Sequence, residues 1–427
     1  MRRRLPLLSL VPFLILLGAS AARAAGPATA DRAHLKPGAK GTLCLGCHQQ
    51  LQETMRLPFV HTPVKNGDCS DCHDPHAASH GKLLAADPDR ICTTCHTAIL
   101  PSGAKSEHPD AASGKCTRCH DPHGSANKNL LLAAGNALCF TCHKDLGEKA
   151  AGAPHKHPPV SQSCLTCHAA HASADADFLL AKRSPALCTG CHKADQPVFR
   201  KAHMGYPVGS SDCSSCHDPH GSSRPAILWA SVHPPVAGRN CAQCHEEPGS
   251  PNALKVRKQG VDSCRGCHSE MIRTTFEFNR IHWPIADRKA CLNCHRPHAS
   301  KAGKLLADPE IKLCARCHAG IVQQARTSPA QHKPVAEGAC SLCHAPHGSN
   351  SVLLLTAADS TALCETCHSW EKHSSHPIGP DVADPRNRNT RVDCLSCHDT
   401  HGSPHKYLTW LDKKMDLCVA CHQDFRR

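Results

Sequence analysis

Every cysteine in this chain stands in one five-residue pattern, which recurs so densely that it leaves little room for an ordinary hydrophobic core. The pattern is C-x-x-C-H. Its first cysteine is Cys44, Cys69, Cys92, Cys116, Cys139, Cys164, Cys188, Cys213, Cys241, Cys264, Cys291, Cys314, Cys340, Cys364, Cys394 or Cys418. Its second is Cys47, Cys72, Cys95, Cys119, Cys142, Cys167, Cys191, Cys216, Cys244, Cys267, Cys294, Cys317, Cys343, Cys367, Cys397 or Cys421. The sixteen copies use all 32 cysteines of the 427 residues and recur every 23–30 residues. Aromatic residues make up only 3% of the chain, too few to fill several conventional cores. Something other than its own side chains must organise such a chain.

The histidines that close the pattern are His48, His73, His96, His120, His143, His168, His192, His217, His245, His268, His295, His318, His344, His368, His398 and His422. The spacing has a chemical reason. Two thiols three residues apart can add to the two vinyl groups on one edge of a haem, and the next residue can swing its imidazole under the ring to bind iron. C-x-x-C pairs also serve zinc ribbons, redox dithiols and disulfide frameworks. None of these requires histidine after every second cysteine. The pattern therefore predicts sixteen haems c, held by all 32 cysteines, with these sixteen histidines as proximal iron ligands.

The copies alternate between two types. One follows an H-x-P-V-like segment and is usually followed by x-P-H, as with His61, Cys69–His73 and His76. The other follows a hydrophobic residue, as at Leu138-Cys139 and Leu417-Cys418. Together they make a unit of about 48 residues, an internal repeat. Of the 36 histidines, twenty remain once the proximal ligands are set aside. Seven stand three residues after a motif histidine: His76, His123, His171, His220, His298, His347 and His401. Eight upstream positions supply His61, His108, His157 (with His155 beside it), His203, His233, His282, His332 and His376 (with His373 nearby). His34 precedes the first motif. These sixteen are the expected distal ligands, one for every iron, with His80, His405 and one histidine of each doublet left over. Three residues reach only about 10–11 Å, so an x-P-H histidine is expected to ligate a neighbouring haem, not its own motif's. Met55, Met204, Met271 and Met415 follow no pattern and read as packing residues.

Two departures stand out. Cys213 and Cys241 both belong to the first type and lie 28 residues apart with no second-type copy between them. The break suggests two octahaem halves, residues 25–228 and 229–427. The Cys241 copy is followed by Glu246-Glu247-Pro248 in place of x-P-H, which makes its neighbourhood the expected place for unusual ligation.

The chain opens with Arg2, Arg3 and Arg4, a short apolar run from Leu5 to Leu17, and small residues around Ala22-Arg23-Ala24. This reads as a secretory signal over residues 1–24, too short to span a bilayer, and predicts an exported chain with no membrane span after cleavage. The formal net charge is +13, and removing the four arginines of that segment leaves +9. Counting two propionates per haem, the loaded protein is near −23 with reduced iron and near −7 with oxidised iron, roughly the opposite of what nucleic-acid binding needs.

The run H-x-P-V…C-x-x-C-H-x-P-H-G-S…L-L…L-C-x-x-C-H, seen well from His332 to His368, resembles the doubled C-x-x-C-H multihaem cytochromes, from about residue 34 to 422. The resemblance implies closely spaced, mostly bis-histidine haems. It also implies electron transfer, as conduit or store, in the periplasm, at the outer membrane or outside the cell. The partners it implies are redox proteins and an outer-membrane porin or extracellular acceptor. Multihaem nitrite- or hydroxylamine-converting oxidoreductases are the alternative, but they keep one open iron, and no copy here has lysine in place of histidine. The expected fold is a multihaem cytochrome c, mostly irregular, with short α-helices such as Ile311–Cys317 packed on haems. No significant sheet is expected, and the units should form an elongated repeat array. The stretch from His368 to Cys394 reads as a loop.

Overall fold

The computed structural model describes residues 41–369, 378–379, 381–412 and 414–425. His34, His373 and His376 lie outside them, as does the leader segment.

Each C-x-x-C-H segment closes the same turn. In all sixteen copies the backbone N–H of the motif histidine donates to the carbonyl of the first cysteine, at 2.8–3.0 Å. One helical turn puts residues i, i+3 and i+4 on one face, so both thiols and the imidazole leave the backbone on the same side. Copies of the first type open as 3-10 turns, such as Cys69–Asp71, Cys116–Arg118 and Cys340–Leu342. Most copies of the second type have their first cysteine in a short α-helix, such as Asn136–Phe140, Glu310–Ala315 and Ser360–Glu365. The last is capped by Asp359, whose side chain accepts from the Ala362 N–H at 2.8 Å. The helix expected from Ile311 to Cys317 thus begins one residue earlier and ends at Ala315. Longer helices follow some of these copies: Lys144–Gly152, Ser269–Glu277 and Ala319–Thr327.

In the upstream segments, proline sets the geometry. His61, His108, His157, His233 and His332 are the N-caps of four- or five-residue helices with proline at the first or second position, and His282 caps a 3-10 turn of the same kind. Their backbones are extended (ψ between 112° and 134°), the conformation that proline favours in the residue before it at His108, His157 and His233, and at all six proline opens the following turn. Each imidazole therefore leaves the chain at a fixed corner.

Two-residue ladders join each unit to the next. Phe59–Val60 pairs with Gly124–Ser125, Ser106–Glu107 with Ala172–Ser173, Ser231–Val232 with Ala299–Ser300, and Arg280–Ile281 with Gly348–Ser349, all antiparallel. Single bridges, His155 to Ser222 and Ala330 to Ser403, fill the same place in other units. Among the described residues no such pairing links the Cys213 unit to the Cys241 unit. Contacts divide the chain into two groups, one holding residues up to Ala86 with Asp121–Leu130, the other Asp87–His120 and Leu131 onward. The boundary read from the sequence near residue 228 lies inside the second group.

The buried apolar side chains are few and mostly small: Ala176, Ala253, Ala290, Ala299 and Ala325, with Ile272, Leu313, Leu355, Val392 and Tyr206 among the larger ones. Among the described residues the architecture is mostly irregular, with short helices and two-stranded sheets only. The stretch read as a loop before Cys394 holds a hairpin, Ala383–Asp384 with Asn387–Arg391. The nearly buried Asp384 carboxylate accepts from the Arg386 backbone N–H at 2.9 Å and from its guanidinium at 2.6 and 3.0 Å. This polar turn, not an apolar alternation, pins the strands, which is why no strand signal showed in the sequence.

Candidate metal centres

Cysteine positions are paired across motifs. Hydrogen-bonded thiol contacts join the first cysteine of one copy to that of the next at Cys44–Cys69, Cys139–Cys164, Cys188–Cys213, Cys264–Cys291, Cys314–Cys340 and Cys364–Cys394. Burial, then the neighbouring thiol, pushes Cys164 and Cys188 up to about 11 and Cys364 to about 12. The hydrogen bond from Cys264 draws Cys291 down to about 6, and that from Cys314 draws Cys340 down to about 7. In chemical terms, two attachment edges meet at each contact.

Imidazoles converge in pairs, and each pair joins one motif histidine to one of the expected distal histidines. Twelve such pairs occur among the described residues, with ring centres 5.8–6.4 Å apart. Two metal–nitrogen bonds of about 2.0–2.1 Å, each continued by roughly 1 Å to the ring centre, span that distance. The donor set therefore fits an iron held between two imidazoles. Upstream histidines meet the second-type motif of their own unit: His108 with His143, His157 with His192, His233 with His268, His282 with His318 and His332 with His368. Histidines three residues past a motif histidine meet the first-type motif one unit back: His73 with His123, His120 with His171, His168 with His220, His245 with His298, His295 with His347 and His344 with His401. The remaining pair is His203 with His217. Of the doublet, His157 faces a motif histidine, while the His155 backbone pairs with Ser222. The His61 N–H donates to the His123 carbonyl at 3.0 Å, and His76 is exposed with Nδ1 3.8 Å from Asp74.

A feature the sequence reading missed fixes the ring orientation. The Nδ1 of His73, His168, His217, His245, His295, His344 and His398 lies 2.8–3.0 Å from the carbonyls of Lys82, Phe178, Ala226, Leu254, Lys304, Leu353 and Tyr407. An N–H donated there leaves Nε2 free for metal and raises its basicity. Several of these carbonyls belong to turns with two successive left-handed residues, such as Lys82-Leu83, Phe178-Leu179 and Tyr407-Leu408. That conformation costs roughly 1–2 kcal/mol per non-glycine residue. The clue in the sequence was the L-L-like pair about ten residues past most first-type motifs. The upstream His157 and His282 likewise place Nδ1 3.0 and 2.9 Å from the carbonyls of Pro219 and Pro346, so the proline of one x-P-H segment orients another unit's imidazole.

The doubled CXXCH motif family matches residues 61–99, 108–148, 157–197, 206–232, 233–273, 282–323, 332–373 and 387–427, well over half of the chain. The chain belongs to this family. It is a multihaem c-type cytochrome, and its cysteine pairs indicate covalently bound haem c, up to sixteen. It is also 32% identical over 192 residues to the multiheme cytochrome MtrA of Shewanella baltica (strain OS185). That match covers 39% of this chain and spans about half (54%) of the relative's length.

As a member of the doubled CXXCH family, the chain has one irregular repeat. The match over 206–232 is short and carries a single motif. It begins on Tyr206, where the matches at 61, 108, 157, 233, 282 and 332 begin on histidine. The next unit has Glu246-Glu247 in place of an x-P-H histidine. Unusual ligation was expected around the Cys241 motif, but that motif's His245 faces His298 in the regular way, at 5.8 Å. The altered pair belongs to His217. The histidine one unit downstream that would face it is absent, and His203, from its own upstream segment, lies there instead at 6.2 Å. The His203 ring packs on Phe199 at 4.4 Å, and its Nδ1 lies 2.9 Å from the Phe199 carbonyl.

Burial lowers the pKa of nine distal histidines, His123, His171, His220, His233, His282, His298, His332, His347 and His401, below the usual histidine value. They are kept in the neutral form that a metal requires. Acidic residues stand behind some. Asp121, Asp218 and Asp399 accept from the backbone N–H of His123, His220 and His401. Lys149 ion-pairs with the buried Asp218. Gln324, at the equivalent helix position, donates to Asp399 at 2.6 Å.

Proposed function

We propose that this cytochrome carries sixteen haems and transfers electrons, with both axial positions of each iron filled by protein. The observation that carries this reading is the set of facing imidazoles at 5.8–6.4 Å. A site with two histidines on one axis has no position left for a substrate. Bound haem supplies one-electron chemistry at iron. The chain's part is to fix the attachment edges next to one another, through thiol contacts such as Cys264–Cys291 and Cys314–Cys340, and to hold each imidazole in one tautomer. Neither feature serves the binding of a metabolite.

The same reading takes the chain as exported, with redox proteins as partners and an outer-membrane porin or an extracellular acceptor at one end. The basic, apolar and small-residue leader supports export, and the family resemblance supports the route. No helix among the described residues is long and apolar enough to cross a membrane. Two octahaem halves meeting near residue 228 are part of the proposal. The missing ladder at that step supports them. Trp229 and Trp410 occupy the same place after two first-type motifs, twelve residues past His217 and His398, and each indole N–H donates back across its motif, to Ser214 at 2.7 Å and Leu395 at 2.8 Å.

The test is low-temperature EPR of the oxidised holoprotein with haem quantified alongside. Sixteen haems per chain, all low-spin, are expected. A high-spin iron would overturn the closed-site reading and favour an enzyme. Cell fractionation tests the location.

A further inference from the structure

In four second-type motifs a polar side chain just ahead of the first cysteine crosses to the next unit. Asn136, three residues before Cys139, accepts the Cys164 N–H on Oδ1 at 2.8 Å and donates from Nδ2 to the Val160 carbonyl at 2.8 Å. Ser184, four residues before Cys188, accepts the Cys213 N–H at 3.1 Å. Glu310, four before Cys314, accepts the N–H of Ser341, the residue after Cys340. The Ser360 hydroxyl, four before Cys364, donates to Asp393, the residue before Cys394. Asn136, Glu310 and Ser360 open the helices that carry Cys139, Cys314 and Cys364. Residues three or four apart share a helix face, so each side chain leaves on the side of its own cysteine. Elsewhere glycine lets the backbones themselves meet. A Cβ on Gly41, three residues before Cys44, would lie 2.9 Å from the Gly67 Cα, and one on Gly114, two before Cys116, would overlap the carbonyl of Asp89, three before Cys92.

The four polar clamps stand where thiols of neighbouring units meet, at Cys139–Cys164, Cys188–Cys213, Cys314–Cys340 and Cys364–Cys394. We propose that Asn136, Ser184, Glu310 and Ser360 are positioning residues that set the separation and mutual angle of the two haems attached across each of these steps, and with them the coupling through which an electron passes between units. This rests on the reading of the chain as a loaded multihaem cytochrome. An attachment turn fixes where one haem joins the chain. It does not fix where two haems stand to each other, because the paired turns are 25–30 residues apart in sequence. A bond from one turn to the backbone of the next removes that freedom. Functional groups need to be held within about 0.5 Å of their working geometry by such supporting bonds, and coupling between two redox centres falls steeply with distance. The choice of partner matters here: each bond across a step ends on a motif residue or on one bordering the motif, not in the surrounding loop. Asn136 does most, since its second bond reaches the helix Pro158–Gln162 that His157 caps, and His157 faces His192. One side chain thus ties the Cys139 turn both to the Cys164 turn and to the segment that presents a facing imidazole.

Circular dichroism of the holoprotein in the Soret region tests the assignment, because haems held close at a fixed angle give a paired positive and negative band whose amplitude reports their geometry. A variant carrying Asn136→Ala, Ser184→Ala, Glu310→Ala and Ser360→Ala is expected to keep the parent's haem content and low-spin EPR spectrum and to lose part of that amplitude. Asn136→Asp, Ser184→Thr, Glu310→Gln and Ser360→Thr together keep the first three acceptors and the fourth donor, and are expected to retain the parent's amplitude. An alanine variant with full haem and unchanged amplitude would overturn the assignment, even if its melting temperature fell, since the bonds would then serve stability alone. So would a conservative variant that loses as much amplitude as the alanine one. Either outcome leaves the electron-transfer reading standing, which fails instead if the parent itself shows a high-spin iron. Should the fourfold alanine variant fail to load haem, Asn136→Ala alone decides by the same comparison, with a smaller loss expected.

Discussion

The unit around Cys291 and the unit around Cys213 are built from the same parts and use them differently. In the first, His282 faces the second motif of its own unit and His298 faces the motif one unit back. In the second, His220 still faces back, to His168. With no second motif present, the upstream position is Tyr206, and the unit's own His217 is met by His203. The comparison teaches that a first-type motif histidine is faced by an imidazole from the unit downstream. Where that unit offers Glu246-Glu247, a nearby histidine takes over. Two losses in sequence, one motif and one histidine, leave one buried phenol and one rearranged pair.

The sharpest way to break this comparison is to remove a ligand on each side of it. His298→Ala is expected to leave the His245 iron with one protein ligand, and His203→Ala to do the same at His217. Each should turn one haem high-spin in the EPR spectrum without reducing haem content. A His203→Ala protein that stays entirely low-spin would mean that another residue serves His217.

Acid comes next in size. Burial depresses the nine distal histidines, so the folded state disfavours their protonation. The stability this gives is complete above the unfolded value, about 6.5. It is lost as pH falls from there through the lowered folded values. A pH titration of the holoprotein by absorbance should show low-spin signal lost on the acid side of that value, and none lost between neutral and mildly alkaline pH. Loss on the alkaline side would contradict the burial argument.

A smaller effect concerns the charge behind the distal ligand. Lys149 compensates Asp218 behind His220, whereas neutral Gln324 meets Asp399 behind His401. Lys149→Gln should leave more negative charge at the His168–His220 site and lower its potential, and Gln324→Lys should raise that of the His344–His401 site. Each shift is about 1 kcal/mol, roughly 40 mV for one electron, since both lysine positions are partly solvated. Spectroelectrochemical titration measures both, and shifts of the same sign would refute the pairing of these positions.

The smallest test addresses two equivalent first-type motifs, those of His217 and His398. Trp229→Phe and Trp410→Phe each remove one indole hydrogen bond and should cost about 1 kcal/mol apiece. Thermal unfolding of the holoprotein followed by circular dichroism should show similar, modest losses. A large loss for one and none for the other would argue against equivalent roles for the two indoles.

What could be read in the sequence was everything that depends on short spacing. Two thiols and an imidazole within five residues define an attachment turn whatever surrounds them, so all sixteen turns were legible. Proline beside the upstream histidines likewise fixed a local corner. The candidate ligand types followed by counting. The partners did not, because a facing imidazole comes from 14 to 57 residues away, as with His203–His217 and His344–His401, and nothing local encodes the match. Only the ladders between units and the left-handed turns that carry the Nδ1 acceptors set those registers. That is why the irregularity visible in the sequence at Cys241 has its structural consequence at His217. The hairpin at Asp384 and Arg386 escaped notice for a related reason: a polar turn and a nearly buried ion pair hold it, and neither leaves a periodic mark. Covalent spacing determined what each segment binds, and tertiary packing decided which histidines face each other across it.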